Sequence, residues 1–163
     1  MSRDIDDVRE VQARYVRAVD SRDGAAVARL FVPDAKVQIF YGHGGRAELL
    51  GELLGRDAIA NAVGAMMEPH PEGGWSHHTT HDPIVTVDGD GATLDVQFVV
   101  FSVRAKARPR DGWPREARGA QGTITPIESG YYRSTLARTD GRWLIVNYRI
   151  DHSLPMAFPA EGS

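Results

Sequence analysis

The sequence contains no cysteine. This absence excludes disulfide bonds, thiolate catalysis and zinc sites with cysteine ligands, and it leaves the redox compartment open. Three motifs with a known chemical role are also missing, namely a glycine-rich phosphate loop, His-Glu-x-x-His and Gly-x-Ser-x-Gly. We therefore expect a protein that works without a cofactor.

Long hydrophobic runs and an excess of one charge are absent as well. No 18 apolar residues follow one another and the N-terminus lacks the apolar stretch of a secretion signal, so we expect a cytoplasmic protein that does not enter a membrane. The chain has 19 Lys and Arg against 22 Asp and Glu, a net charge of -3. The basic residues are scattered, so no basic stripe predicts binding to nucleic acid.

The composition is that of one globular domain. The 163 residues include 42% hydrophobic and 25% charged residues, and no linker-like stretch divides them. A chain of this length buries roughly two thirds of its extended surface when it folds. We predict a single domain over residues 1–163, with a core at about 5–152 and a C-terminal tail at 153–163.

The first half of the chain has mainly helical patterns. Apolar residues at helical spacing from Ile5 to Val19 predict a first helix. Asp23 is a suitable cap for a short second helix that carries Val27, Leu30 and Phe31 and ends at Pro33. The alternation of 37–41 predicts a strand followed by a glycine-rich loop at 42–45, and a third helix is expected over 57–68.

In the second half, β-branched and aromatic residues dominate and turn dipeptides recur. We predict strands at 76–87, 92–106, 122–138 and 143–152, with hairpin turns at 88–91 and 139–142 and an exposed loop at 107–121. Strands this long must coil. The expected fold is therefore α+β, with N-terminal helices packed on a long curved antiparallel sheet that forms a cone around a pocket.

Several short motifs lie at corresponding places in one known family. They are Ala18-Val19-Asp20-Ser21-Arg22-Asp23, Phe31-Val32-Pro33-Asp34-Ala35, Gly55-Arg56-Asp57-Ala58-Ile59, Val87-Asp88-Gly89-Asp90-Gly91-Ala92 and Asp140-Gly141-Arg142-Trp143. Over about 5–151 the chain resembles the SnoaL-like group of the nuclear transport factor 2-like superfamily. The superfamily includes scytalone dehydratase, ketosteroid isomerase, polyketide cyclases and the small subunits of ring-hydroxylating dioxygenases. Because its members commonly form dimers, the resemblance implies a homodimer through the outer sheet face.

Residue matching with scytalone dehydratase extends the resemblance to the pocket. Its aspartate at the end of the first helix matches Asp20, the tyrosine that closes its first strand matches Tyr41, and the histidine that opens its next strand matches His81. A second active-site histidine falls on or near Phe101 here, and an asparagine near the last hairpin falls on Tyr132. The resemblance thus implies catalytic roles for the first three and substrate contact for the last two.

The segment Ser76-His77-His78-Thr79-Thr80-His81-Asp82-Pro83 has three histidines in five positions. On a strand that rises ~3.3 Å per residue, His77 and His81 lie ~13 Å apart and His78 faces the other side. One metal ion cannot be bound by all three, so we expect no metal site. His77 and His78 are interpreted as surface or core histidines.

His81 has the spacing that would place it on the same strand face as Val85 and Val87, which points inward. An imidazole has a pKa suited to proton transfer at neutral pH. Asp20, at the end of the first helix, either is solvated or turns into the pocket. If it accepts a hydrogen bond from His81, it fixes the ring tautomer, as in other Asp–His pairs.

Further residues are candidates for contact with a substrate. Tyr41 either packs in the core or donates its hydroxyl to a substrate carbonyl. One of Tyr131 and Tyr132 must face the pocket, and the resemblance favours Tyr132. His152, at the end of the last strand, and Met67, near the end of the third predicted helix, complete the expected substrate-binding set with Phe101.

The leading hypothesis is a cofactor-free dehydratase, isomerase or cyclase. It acts by acid/base enolate chemistry on a small hydrophobic carbonyl compound of the polyketide, steroid or terpenoid type, with His81, Asp20 and Tyr41 as catalytic residues. The alternative is a non-catalytic binding or assembly module, like the small subunit of a ring-hydroxylating dioxygenase. A pocket filled by side chains would favour the alternative.

Overall fold

The structure, a computed structural model, describes residues 2–42 and 46–157. Most of the predicted loop at 42–45 and the end of the predicted tail lie outside the described residues. The elements are α1 (Ser2–Asp20), α2 (Gly24–Ala28), β1 (Phe31–Tyr41), β2 (Glu48–Leu54), α3 (Arg56–Asn61) with a π-helical turn (Ala62–Met66), β3 (Gly74–Asp88), β4 (Gly91–Ala105), β5 (Gly122–Thr139) and β6 (Arg142–His152). Within the described ranges, no helix has the length and apolar character needed to cross a membrane.

The six strands form one curved sheet that does not close, in the order β2-β1-β6-β5-β4-β3. Every neighbouring pair is antiparallel except β1 and β6, which run parallel. The sheet is therefore mixed, where the sequence predicted an antiparallel one. The parallel pair has the useful result that the C-terminal ends of β1 and β6 lie side by side.

Helix α1 packs against the sheet, mainly over β3. Its buried residues fall at intervals of three or four, which is the spacing of one helix face. We call the sheet face toward α1 the inner face and the opposite one the outer face. Four aromatic rings join the helix to the sheet, with the ring centroids of Tyr15 and Tyr148 4.4 Å apart and Phe31 and Tyr132 beside them.

The first half contains more strand than the patterns indicated. Helix α2 ends at Ala28. Phe31 was predicted to lie in this helix, but it begins β1, where it pairs with Ile145 of β6. Pro33 lies in β1 between Phe31 and Lys36, where the register of β1 with β6 shifts. Proline has no backbone N–H, but at this position its absence breaks no hydrogen bond between β1 and β6. Strand β2 was not predicted, because its two Leu-Leu pairs do not alternate with polar residues.

A β-bulge divides β3 into two halves. The register with β4 shifts between His81 and Ile84, and Asp82 has a positive φ of 52°. Before the bulge the even-numbered residues, such as Ser76 and His78, face inward, and after it the odd-numbered residues Val85 and Val87 do so. An extra residue in one strand has this effect, since side chains alternate between faces with a period of two.

Strand β6 approaches β5 closely at Gly130. A Cβ atom built on Gly130 would lie 1.9 Å from the carbonyl oxygen of Asp151 and 3.0 Å from the ring of Phe98. Gly130 pairs with Phe98 on one side and with His152 on the other. Because it has no side chain, the rings of Phe98 and His152 meet across it with centroids 5.7 Å apart.

We predict that Gly130→Ala strongly destabilises the protein. The added methyl group must push the β6 backbone away from β5, and overpacking of this kind costs about 1–3 kcal/mol or more of the free energy of unfolding. Gly51→Ala in β2 is the matched control, because among the described residues no atom outside Gly51 and its two chain neighbours lies within 4 Å of the Cβ position. Urea denaturation followed by circular dichroism measures both, and equal midpoints for the two variants would contradict the close approach.

Candidate functional site

The Asp20 carboxylate accepts several hydrogen bonds on the inner side of the sheet. Helix α1 ends at this residue, and the chain turns away through Arg22, whose φ is 56°. Asp20 is 7% exposed. Its oxygens accept hydrogen bonds from Ser76 Oγ at 3.2 Å, from the backbone N–H of His78 at 3.1 Å and from His78 Nδ1 at 2.6 Å.

The short contact with Asp20 fixes the ring of His78. Because the carboxylate accepts from Nδ1, we assign the proton to that nitrogen, so that Nε2 is the nitrogen available to a ligand. Nε2 has no hydrogen-bond partner among the residues that the structure describes. The side chain of His78 is 13% exposed, so the pair is nearly enclosed but still reachable.

The predicted contact between His81 and Asp20 is wrong. The side chain of His81 is 47% exposed, and its Nδ1 lies 3.0 Å from the neighbouring Asp82. The bulge after His81 is the cause, since it places His78 rather than His81 on the face of Val85 and Val87. An Asp–His pair forms as expected, but with a different histidine.

The inward orientation expected for Phe101 is also wrong. Phe101 pairs with the exposed His77, and its neighbour Val100 is buried on the inner face. Alternation along β4 therefore places Phe101 on the outer face. The expected position of a second catalytic histidine is thus not on the pocket side in this chain.

Tyr132 lies on the inner face, where its ring stacks on Phe98 with centroids 4.1 Å apart. Burial raises the pKa of Tyr132 well above its ordinary value, and the nearby Tyr15, Glu128 and Asp20 raise that pKa further. The hydroxyl therefore remains protonated at neutral pH. It can act as a hydrogen-bond donor near the Asp20–His78 pair.

His152 is the second imidazole on the inner face and is 7% exposed. Its Nδ1 lies 3.9 Å from Oε2 of Glu128 on β5. Burial lowers the pKa of His152 below its usual 6.5, and the charge of His78 also lowers this pKa. The negative charges of Glu128 and Asp151 act in the opposite direction and raise the pKa.

The remaining predicted residues lie around this cluster. Tyr41 pairs with His152 across the parallel strands. It faces inward, because the adjacent Phe40 packs under the guanidinium of Arg149 on the outer face. Met67 follows the π-helical turn and is partly buried against the core.

Sequence reasoning missed Ser76, His78, Glu128 and His70 as neighbours of the site. His70 Nε2 lies 2.6 Å from the backbone oxygen of Asp20, and its ring packs on Trp75 with centroids 4.5 Å apart. This contact ties the segment before β3 to the end of α1. One signal was available, because a proline inside a predicted strand, here Pro83, often marks a bulge.

Two cavities lie elsewhere on the molecule. A groove of about 890 Å³ runs between α1, α2 and the β5–β6 turn, with Arg17, Arg29 and Arg142 among its lining residues. A smaller cavity of about 110 Å³ lies between α1 and β3, beside Gln12 and Thr80. Neither cavity is lined by Asp20 or His78.

Comparison with solved structures gives the same architecture. An NTF2-like protein with a cystatin-like fold from Novosphingobium aromaticivorans is 25% identical, with a TM-score of 0.64 over 99% of this chain and 84% of that one. The β subunit of a proposed aromatic-ring-hydroxylating dioxygenase from the same organism is 16% identical, with a TM-score of 0.68 over 93% and 90%. A proposed dehydratase of the NTF2-like family from Streptomyces avermitilis is 16% identical, with a TM-score of 0.60 over 94% and 99%.

Sequence comparison adds a family to this fold. No curated protein matches the chain significantly. The model of the SnoaL-like domain family matches residues 1–149, which is nearly all of the chain. The protein therefore belongs to the SnoaL-like domain family.

Proposed function

We propose that this protein is a cofactor-free enzyme that dehydrates, isomerises or cyclises a hydrophobic carbonyl compound, with His78 and Asp20 as its proton-transfer pair. The observation that carries the proposal is the 2.6 Å contact between His78 Nδ1 and the buried Asp20 carboxylate. A fixed imidazole with one free nitrogen in a largely dry site is an arrangement suited to general acid/base catalysis. His78 takes the role that the sequence assigned to His81.

In the proposed reaction, Nε2 of His78 removes a proton from the carbon next to a carbonyl group. The electrons of the C–H bond move onto the carbonyl oxygen and form an enolate. In a dehydration, these electrons return, form a C=C bond between the deprotonated carbon and the carbon beyond it, and expel the hydroxyl group that this second carbon carries. The imidazolium gives the departing hydroxyl group its proton, so that water leaves. Asp20 keeps its negative charge throughout and stabilises the imidazolium.

The developing negative charge on the carbonyl oxygen needs hydrogen-bond donors. Tyr132, kept protonated by its raised pKa, and Tyr41 are the proposed donors. Acid/base transfer contributes a factor of ~100 to 10,000, and one oxyanion donor contributes ~100 to 1,000. Such groups are sufficient for enolate chemistry, which is why we propose a reaction without a metal or nucleotide.

The proposed substrate is hydrophobic, of the polyketide, steroid or terpenoid type. The inner-face residues around the pair are largely apolar or aromatic, among them Phe98, Val100 and Tyr132, and Met67 is partly buried against the same core. Such a lining suits a ring system with few polar groups. The resemblance in fold to a proposed dehydratase of the NTF2-like family agrees with this choice.

The second candidate is a non-catalytic binding or assembly module, as suggested by the β subunit among the similar folds. Two observations favour it. Aromatic side chains fill the centre of the cone, and neither of the two cavities described above reaches His78. The outer face also has an apolar row of Trp75, Val103 and Ile124, the last 69% exposed, which could bind a second copy or a different subunit.

We predict that His78→Gln abolishes enolate formation, whereas His81→Gln retains it. The measurement is deuterium exchange at carbon 2 of 1-tetralone in D₂O, followed by NMR with wild type and both variants. The expected loss in His78→Gln is about 100- to 10,000-fold. His81→Gln is the matched control, since it changes the same residue type on the same strand at an exposed position.

The same experiment separates the two candidate functions. Absence of exchange with wild-type protein, both for 1-tetralone and for cyclohexanone, would favour the binding module. Exchange that His78→Gln leaves unchanged would remove His78 from the mechanism.

A second prediction concerns Asp20. Asp20→Asn keeps the size of the side chain but removes the charge that orients His78, so we expect a loss of roughly 100- to 10,000-fold in the exchange rate. Asp23→Asn is the control, because the Asp23 carboxylate caps α2 by accepting a hydrogen bond from the backbone N–H of Ala26. A wild-type rate in Asp20→Asn would show that the carboxylate is structural.

A further inference from the structure

The groove between α1, α2 and the β5–β6 turn takes no part in the proposed reaction, since neither Asp20 nor His78 lines it. Its volume is about 890 Å³. Cavities that bind small molecules measure roughly 300 to 1,000 Å³, so this groove is large enough for one. Most of its α1 residues, from Asp7 to Ser21, follow one another at intervals of three or four and form one face of the helix.

The floor of the groove is apolar. It consists of side chains that belong to the hydrophobic core or pack against it, namely Val11, Ala18, Ala26, Leu30, Trp143 and Leu144. The carbonyl oxygen of Leu30 accepts a hydrogen bond from the backbone N–H of Ile145 at 2.8 Å, which joins this floor to β6. A fixed apolar surface of this kind suits a ring system or a hydrocarbon chain.

Three arginine side chains from three different elements line the same groove. Arg17 lies in the last turn of α1, Arg29 directly follows α2, and Arg142 begins β6. All three residues are exposed. In the part of the chain that the structure describes, none of the three guanidinium groups has a hydrogen bond, an ion pair or a ring contact. Arginines elsewhere on the sheet, in contrast, bind carboxylates.

The other charged residues of the groove offset this positive charge only in part. Arg14 donates to Glu10 from Nε at 2.9 Å, so that pair adds no net charge. Asp23 accepts a hydrogen bond at 2.8 Å from a backbone N–H of α2, which it caps. Asp7 lies ten residues before Arg17, which corresponds to about 15 Å along the axis of α1. The groove therefore keeps an excess of positive charge beside its apolar floor.

We propose that this groove is a ligand site separate from His78, and that it binds an amphipathic organic anion with two negative charges on carboxylate or phosphate groups. The apolar part of the ligand lies on the floor, and Arg17, Arg29 and Arg142 donate hydrogen bonds to the anionic oxygens. Arginine suits this role, because its planar set of donors matches the oxygens of a carboxylate or a phosphate. A groove with apolar walls also strengthens the attraction between these charges.

Binding of small aromatic anions tests the proposal. The probes are 2,6-naphthalenedicarboxylate and 1-naphthyl phosphate, with the monoanion 2-naphthoate as reference, titrated into the isotope-labelled full chain and followed by NMR at neutral pH. We expect at least one dianion to bind about 3- to 10-fold more tightly than 2-naphthoate. The signals that shift should belong to 7–30 and 141–144. Preference for the dicarboxylate would indicate guanidinium groups that act from separate sides, and preference for the phosphate would indicate groups that act together.

Single substitutions assign the binding to the three arginines. Arg17→Gln, Arg29→Gln and Arg142→Gln should each weaken binding of the preferred dianion by about 3- to 10-fold. Arg9→Gln is the matched control, because it removes the same charge from the same helix at an exposed residue that does not line the groove. The affinity of Arg9→Gln should stay within about 2-fold of wild type, since charges at exposed sites are well screened.

Several results would overturn the proposal. They are absence of saturable binding of both dianions, affinity for both dianions no greater than for 2-naphthoate, and a loss of affinity in Arg9→Gln as large as in the groove variants, which would reduce the effect to the net charge of the protein. Shifts confined to the inner face of the sheet would place the ligand beside His78 and contradict the proposal as well. None of these measurements depends on deuterium exchange, so their outcome is independent of the proposed function.

Discussion

A buried carboxylate at the end of a helix is the constraint on which the arrangement of this protein depends. An ionised group that is 7% exposed is costly unless donors surround it. Asp20 obtains these donors from Ser76 and His78, so the end of α1 can lie only against the first half of β3. His70 adds a contact to the backbone of the same residue. The position of the helix and the orientation of the imidazole thus have one common cause.

Much of the fold was predictable because its elements are long and periodic. The predicted strands at 76–87, 92–106, 122–138 and 143–152 agree with β3 to β6 within about two residues, and α1 was also predicted. The family and the cone-like fold are confirmed by the match over residues 1–149 and by the similar structures. The failures lie in short elements. Phe31 and β2 depend on pairing with distant residues, which local patterns do not contain.

The site was predictable in part for the same reason. Alternation required one of Tyr131 and Tyr132 to face inward, the resemblance selected Tyr132, and Tyr132 does lie on the inner face. Alternation failed for His81, because one extra residue at the bulge exchanges the two faces of the strand. The family resemblance supplied the idea of an Asp–His pair but not the register that selects His78. Identification of the partner of Asp20 required the three-dimensional structure.

The parallel pairing of β1 with β6 has a consequence for how related chains can vary. Two chain segments far apart in sequence leave the sheet next to each other, one after Tyr41 and one after His152. Both segments can change in length or composition without disturbing the hydrogen bonds of the strands below them. Related proteins could therefore carry segments of different shape at this end of the sheet, while the paired strands below those segments stay unchanged.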